Sequence, residues 1–243
     1  MQTKKITLLA PARNKEIAIA AIQAGADAVY IGAPQFGARY AASNSLEDIA
    51  QVVAYAHPYH VEVLVTLNTL LHDDEFEAAV SMAHDLYSIG VDALIIQDLR
   101  LLDYPLPPIR LHASTQCDNR TVQQVQYLES KGFSRVVLAR ELSLDEIRSI
   151  RHQTTIELEA FIHGALCVSY SGRCYISEVL MDRSANRGCC AQYCRMRYDL
   201  LDENMEEIKD AEGKPIHQRY LLSLQDMDRS LHLKQLIDAG VTT

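Results

Sequence analysis

The chain has 243 residues, enough for one large domain or two small ones and enough to bury a sizeable core. With 48% apolar and 23% charged residues it is neither a disordered nor a collagen-like sequence. A formal net charge of −9 repels phosphate at long range and excludes an evenly basic, nucleic-acid-coating surface, while leaving room for a local basic site.

No apolar run approaches the roughly eighteen residues a membrane span needs, and the opening MQTKKITLLAPARNKE breaks too early for a secretory signal. A soluble, cytoplasmic protein without membrane contact is expected. In chain order, strand-like runs fall at 6–10, 28–32, 61–67, 93–97, 109–112, 135–139 and 156–163, and helical patterns at 15–24, 46–55, 73–88, 121–130 and 144–152. Most of the strand runs are nearly all apolar (AVYIG, ALIIQ, RVVLA), as strands of a parallel sheet covered on both faces are. Regular alternation of strand and helix gives an α/β fold.

A weak repeat marks the joints: AGADAVYIG at 24–32, IGVDALIIQ at 89–97 and KGFSRVVLA at 131–139. In each, a glycine suited to the left-handed conformation ends a helix and a buried strand follows. Duplication and three independent helix–strand turns account for it equally well. The same grammar recurs where the helical pattern 231–239 runs into Gly240 and Val241, so a further strand is expected there. Seven strands with an eighth signalled describe a TIM-like (β/α)8 barrel truncated before its eighth strand, a single domain over 1–243 forming the N-terminal part of a longer protein. A doubly wound open sheet is the runner-up, but no G-x-G-x-x-G follows the first strand.

In a barrel, reactive groups sit where strands hand over to the following loops. Polar residues collect there: Arg13 and Asn14, Asn68, Gln97 and Asp98, then His112, Ser114, Thr115 and Gln116, then Arg140 and Glu141, and finally His163. The strongest signal is a Cys/Arg-rich insertion at 164–200, after the seventh strand. Five of the six cysteines crowd between Cys167 and Cys194. Cys167-x6-Cys174 and Cys190-x3-Cys194 supply four thiolates, the number a tetrahedral zinc or an iron–sulfur cluster needs, although neither spacing is the C-x2-C of zinc ribbons. Free thiols are the plainer alternative. Arg173, Arg183, Arg187, Arg195 and Arg197 share the segment with only Glu178 and Asp182. They either compensate an anionic thiolate cluster or bind a phosphate or carboxylate. Cys167 lies four residues from His163, a spacing open to thiol activation, but no protease signature and no H-E-x-x-H is present.

The run EAFIHGALCVSYSGRCYIS (159–177) resembles the signature of the peptidase U32 family, the collagenase-like proteases by their historical name, and NRGCCAQYC (186–194) resembles the element that follows it. LLAPARNKE, GADAVYIGAPQFGAR, TLNTLLHDDE, LHASTQ and VLARELSLDEI extend the likeness over the whole chain, and GARYAASNSLEDI with FIHGALCVSYSG look most like the bacterial ribosomal-RNA C-hydroxylation branch. The resemblance implies a barrel-like N-terminal domain with C-terminal domains beyond it. It also implies oxygen-independent hydroxylation of ribosomal or transfer RNA, with a cysteine-ligated [4Fe-4S] cluster and with prephenate as a co-substrate. Carried over, Cys167, Cys174 and Cys190 match cluster ligands of the ubiquinone-pathway relatives. The fourth ligand there lies farther on, where this sequence has SLQDMD and Asp228, so Cys194 is the expected substitute and Cys189 a bystander.

The resulting expectation is an RNA-hydroxylating enzyme with metal ligands Cys167, Cys174, Cys190 and Cys194 and catalytic candidates His112, Glu159 and His163. Arg173, Arg187, Arg195, Asn68 and Gln116 are its substrate-binding candidates. Zinc is the alternative metal. A peptidase using Cys167 and a non-catalytic RNA-binding module with a structural cluster are the competing readings.

Overall fold

A computed structural model describes residues 6–38 and 44–243. The first five residues and positions 39–43, which belong to the GARYAASNSLEDI run, lie outside the described residues.

Seven strands, β1 (Leu9–Ala12), β2 (Ala28–Gly32), β3 (Glu62–Leu67), β4 (Ala93–Ile96), β5 (Arg110–Ala113), β6 (Arg135–Val137) and β7 (Glu157–Glu159), form one sheet in simple sequential order. Every neighbouring pair is parallel. A doubly wound sheet reverses its strand order at a switch point; this one never does, which leaves the curled, barrel-like arrangement. Helices α1 (Lys15–Gln23), α2 (Leu46–Ala56), α3 (Phe76–Ile89), α4 (Val122–Ser130) and α5 (Leu144–His152) return the chain between strands. Between β4 and β5 a short 3-10 turn, Leu99–Asp103, does this instead.

Side-chain alternation sorts the strands' apolar residues into two clusters. Val29, Ile31, Val63, Val65, Leu94 and Ile96 face outward onto helix residues such as Ile49, Val53, Ala83 and Leu86. Ala28, Leu64, Ala93 and Ile95 form a separate, inner cluster with Leu9 and Tyr30 against it. Each fully buried Val, Leu or Ile contributes about 1.5–3 kcal/mol, so the outer layer holds the fold and the inner face is freer to carry chemistry. Helix starts follow local chemistry: the Ser45 side chain caps α2, and Ser143 with Glu146 makes a reciprocal capping box on α5. The glycines of the repeat, Gly25, Gly90 and Gly132, and Gly240 in the recurring grammar, all have φ between 88° and 98°, the left-handed conformation expected at those joints.

The first strand lies at 9–12 instead of 6–10, because its register begins with Leu9 opposite Ala28. The run 156–163 is not one strand. β7 ends at Glu159, and His163–Gly164 (β8) pairs antiparallel with Met227–Asp228 (β9). This pair brackets an excursion over 165–226 that carries α6 (Ile176–Met181) and therefore runs past residue 200. After α7 (Leu233–Asp238) the last residues stand where an eighth strand belongs. The Thr242 N–H donates to the Leu158 carbonyl (3.0 Å), the Ala160 N–H to Thr243 (3.0 Å) and the Thr7 N–H to Thr242 (2.8 Å). Both edges of the sheet thus already have a partner at this level. Among the described residues no helix is long and apolar enough to cross a membrane.

Candidate functional site

The inward-facing positions near the ends of β3 to β5 continue as Asn68, Gln97 and Ser114. Asn68 accepts the Ala38 N–H (2.9 Å) and donates to the Ser114 hydroxyl (3.3 Å). Gln97 is buried with its Oε1 unpaired. The Ser114 hydroxyl also accepts the Gln116 N–H (3.2 Å), starting the turn that carries Gln116. Asn119, fully buried, donates to the carbonyls of Ser114 and Val137 (2.8 Å each) and so ties the β5 loop to β6.

One step deeper, three consecutive strands place ionisable residues inside the barrel. His112 on β5 stands opposite Arg135 on β6, and Arg135 stands opposite Glu157 on β7, two residues before Glu159. His112, Arg135 and Glu159 are 1%, 3% and 7% exposed. Arg135 donates from Nε and Nη2 to Glu157 (3.1 and 3.0 Å), while its Nη1 stands 3.6 Å from Glu159 Oε2, too far for a hydrogen bond. His112 Nδ1, Arg135 Nη1 and Glu159 Oε2 are all buried and without a hydrogen-bond partner. Burial, aided by the charges of Arg135 and Arg110, keeps His112 neutral, well below the usual imidazole range. Burial likewise pushes the Glu159 carboxyl up to about 7, against the pull of Arg135.

The excursion is latched over this mouth by polar contacts and two glycines. Arg187 grips Glu75 with both terminal nitrogens (2.8 and 2.7 Å) and reaches the Leu70 carbonyl (2.7 Å). That grip is the main reason the Glu75 carboxyl falls to about 2. Arg173 donates to Asp118 (2.9 Å), which also pairs with Arg120, and Arg120 stacks on Tyr170. The Ser171 N–H donates to Glu141 (3.2 Å). Gly172, at φ +78°, sits so close to the Gln116 backbone that a Cβ would lie 2.0 Å from its carbonyl oxygen. Gly188, at φ +79°, packs in the same way on Gly37 (2.7 Å). Arg195 fastens the excursion to itself through the carbonyls of Leu166 and Leu224 and the Ser223 hydroxyl (2.7–2.8 Å).

The thiols lie within the excursion. Although Cys167 is exposed as a residue, burial around its thiol pushes it up; Arg140 opposes this and the Cys194, Cys190 and Cys174 thiols add to it. Cys167 therefore feels the other three named thiols as neighbours, and Cys189 is not among them. Among the described residues, no three His, Cys, Asp or Glu side chains are close enough to hold one metal ion. Cys117 is a core residue whose thiol burial pushes up to about 12. His163 is exposed on β8, opposite Asp228, and is not brought to His112 and Glu159 by any hydrogen bond.

The structure thus gathers His112 and Glu159 inside the barrel, Asn68 and Gln116 at its rim and the four thiols in the excursion. Arg187 and Arg195 have their donors engaged within the protein. Arg135 was missed in the sequence because it opens an otherwise apolar run; a charged residue in such a run is itself the signal of an inward-facing polar group. Glu75 and Asp118 left no signal, since their partners are 112 and 55 residues away.

These features define an α/β-barrel protein whose mouth is roofed by a cysteine- and arginine-rich excursion. The chain belongs to Peptidase family U32, whose profile matches residues 13–243. It is 54% identical over 242 residues to the 23S rRNA 5-hydroxycytidine C2501 synthase of Escherichia coli, a match covering 99% of this chain and 36% of that protein. The tRNA hydroxylation protein P1 of Bacillus subtilis is 36% identical over 98% of this chain and 57% of its own length. A collagenase of Porphyromonas gingivalis is 30% identical over 99% and 60%. The chain thus spans between about a third and three-fifths of the length of these relatives. A solved U32 peptidase structure superposes with a TM-score of 0.61 at 12% identity, over 92% of each chain, a likeness of fold alone.

Proposed function

We propose that this chain is the barrel of an RNA-hydroxylating enzyme acting on ribosomal RNA without molecular oxygen, with prephenate as an organic co-substrate. The observation that carries the reading is the 54% identity, across nearly the entire chain, to an rRNA 5-hydroxycytidine synthase. The transfer-RNA hydroxylation relative supports the broader class of RNA hydroxylation.

In this reading Cys167, Cys174, Cys190 and Cys194 hold a [4Fe-4S] cluster. The donor set fits: Cys167 has the other three thiols as electrostatic neighbours, and the Arg140 guanidinium opposes the rise of its thiol. A cluster places several iron atoms between its thiolates, whereas one zinc ion draws its sulfurs to about 2.3 Å from a single centre, so the arrangement favours the cluster. When bound, the cluster supplies one-electron chemistry or a rigid anchor for the excursion. The protein's own groups do the rest: Asn68, Gln97 and Ser114 present hydrogen-bonding groups at the rim, and the excursion shields the mouth from water. Inside, Glu159 holds or releases a proton near neutral pH while His112 stays neutral.

Nucleoside mass spectrometry of ribosomal and transfer RNA from a deletion strain tests the reading. Loss of one hydroxylated pyrimidine, restored by the intact gene and not by a Cys167→Ser version, is expected; an unchanged nucleoside profile refutes it. The peptidase reading draws on the collagenase relative. It would need an activated nucleophile, and among the described residues no imidazole is hydrogen-bonded to a cysteine thiol.

A further inference from the structure

We infer that the barrel interior beneath the excursion binds a small organic acid with an apolar body, its carboxylate held by Arg135, Glu159 and His112. The inner wall is divided. On the β2 to β4 side it consists of Ala28, Tyr30, Leu64, Ala93 and Ile95. On the β5 to β7 side the matching positions are His112, Arg135 and Glu159. One wall suits an apolar ring and the other a charged head.

The polar wall is unfinished without a ligand. A buried polar atom lacking a partner is costly, and native interiors hold few of them. Here three such atoms, His112 Nδ1, Arg135 Nη1 and Glu159 Oε2, belong to neighbouring strands and to side chains more than nine-tenths buried. Glu157 occupies Nε and Nη2 of Arg135 and is itself about half exposed, so its negative charge is partly solvated. The remaining Nη1 points toward Glu159, the last residue of β7 and hence the mouth side of the barrel. The other charged inner groups, Arg110 and Glu62, already neutralise each other at 2.8 Å.

A guanidinium nitrogen, a protonated carboxyl and an imidazole N–H are all donors, and a carboxylate is the small group that accepts from all three. Glu159 donates only when protonated, and burial places its titration near 7. Binding therefore takes up a proton once the pH exceeds that value. Arg135, Glu157, Arg110 and Glu62 keep their charges through this range, and His112 stays neutral.

The inference deepens the proposed reading by giving its organic co-substrate a place, and rests on that reading for the choice of ring-bearing probes. The test is calorimetry on the full-length protein with benzoate, phenylpyruvate and prephenate, and with benzamide as the neutral control. At least one of the acids is expected to bind saturably and benzamide not, with affinity falling about tenfold between pH 6 and pH 8 as Glu159 ionises. Glu159→Gln keeps a neutral donor, so it should bind with that pH dependence removed. Arg135→Lys keeps the charge but loses the fork, and should weaken binding about tenfold or more. Circular dichroism and unfolding midpoints confirm that both variants fold. No binding across the panel, or binding by wild type indifferent to both substitutions, overturns the inference. Normal acid binding in a protein whose deletion leaves RNA nucleosides unchanged would refute the RNA reading and leave this site standing.

Discussion

Substituting Glu75→Gln isolates the strongest latch between barrel and excursion. Arg187 approaches both carboxylate oxygens within 2.8 Å, and the Glu75 carboxyl falls from 4.5 to about 2. At about 1.4 kcal/mol per pKa unit, that shift is worth about 3 kcal/mol. The side chains are 25% and 29% exposed, so solvent screening reduces the expected loss to about 1–2 kcal/mol. The folded-state pKa is depressed, so the contribution is fully present above pH 4.5 and lost as the pH falls toward 2. The stability gap between wild type and variant should be complete at pH 7 and less than half as large at pH 3. Urea denaturation across that range measures the gap, and hydrogen exchange at 69–75 and 184–190 shows whether the latch opens locally. Equal stabilities at pH 7, or a gap that does not shrink by pH 3, would refute the reasoning.

Two glycines with nearly the same backbone angle separate conformational strain from contact. Gly213→Ala, at φ +79° with nothing within 4 Å of the added carbon, should cost only the left-handed penalty of about 1–2 kcal/mol. Gly172→Ala meets the Gln116 carbonyl at 2.0 Å and should lift the excursion, read as rapid proteolysis within 165–226 while the barrel's melting transition is retained; equal protease resistance in the two variants would disprove the contact argument. In anaerobically purified protein, Cys194→Ser should lose iron and labile sulfide while Cys189→Ser keeps them. The reverse pattern would move the fourth ligand to Cys189.

The helix–glycine–strand grammar was legible because it is local: a left-handed glycine and an apolar run lie within a few residues, and Gly25, Gly90, Gly132 and Gly240 all adopt that conformation. Parallel order and a polar rim followed from the same periodicity. What escaped depends on register and distance. An apolar run with one charge reads as the start of a strand, and only the pairing of Arg135 with Glu157 places that charge inside the barrel. The connection between β4 and β5 holds a 3-10 turn in LRLLD, followed by prolines that prevent a longer helix. Asn119, Glu75 and Asp118 stand in no recognisable motif, and their roles arise from partners remote in sequence or from loop geometry.

The local reversal of charge at 173–197 also changes meaning once its arginines are placed. In sequence it is a basic patch on an acidic chain, suggestive of phosphate binding. In the structure Arg187 neutralises Glu75, Arg195 holds backbone carbonyls of its own excursion, and Arg173 shares Asp118 with Arg120. These residues assemble the roof before they can attract anything. The contrast with Arg135 is instructive: an arginine paired on both edges of its fork is structural, whereas one with a buried nitrogen left unpaired implies a ligand. Counting basic residues therefore overstates the anion-binding capacity of the excursion and overlooks the barrel interior, where a single guanidinium, a carboxyl that titrates near neutrality and a neutral imidazole converge.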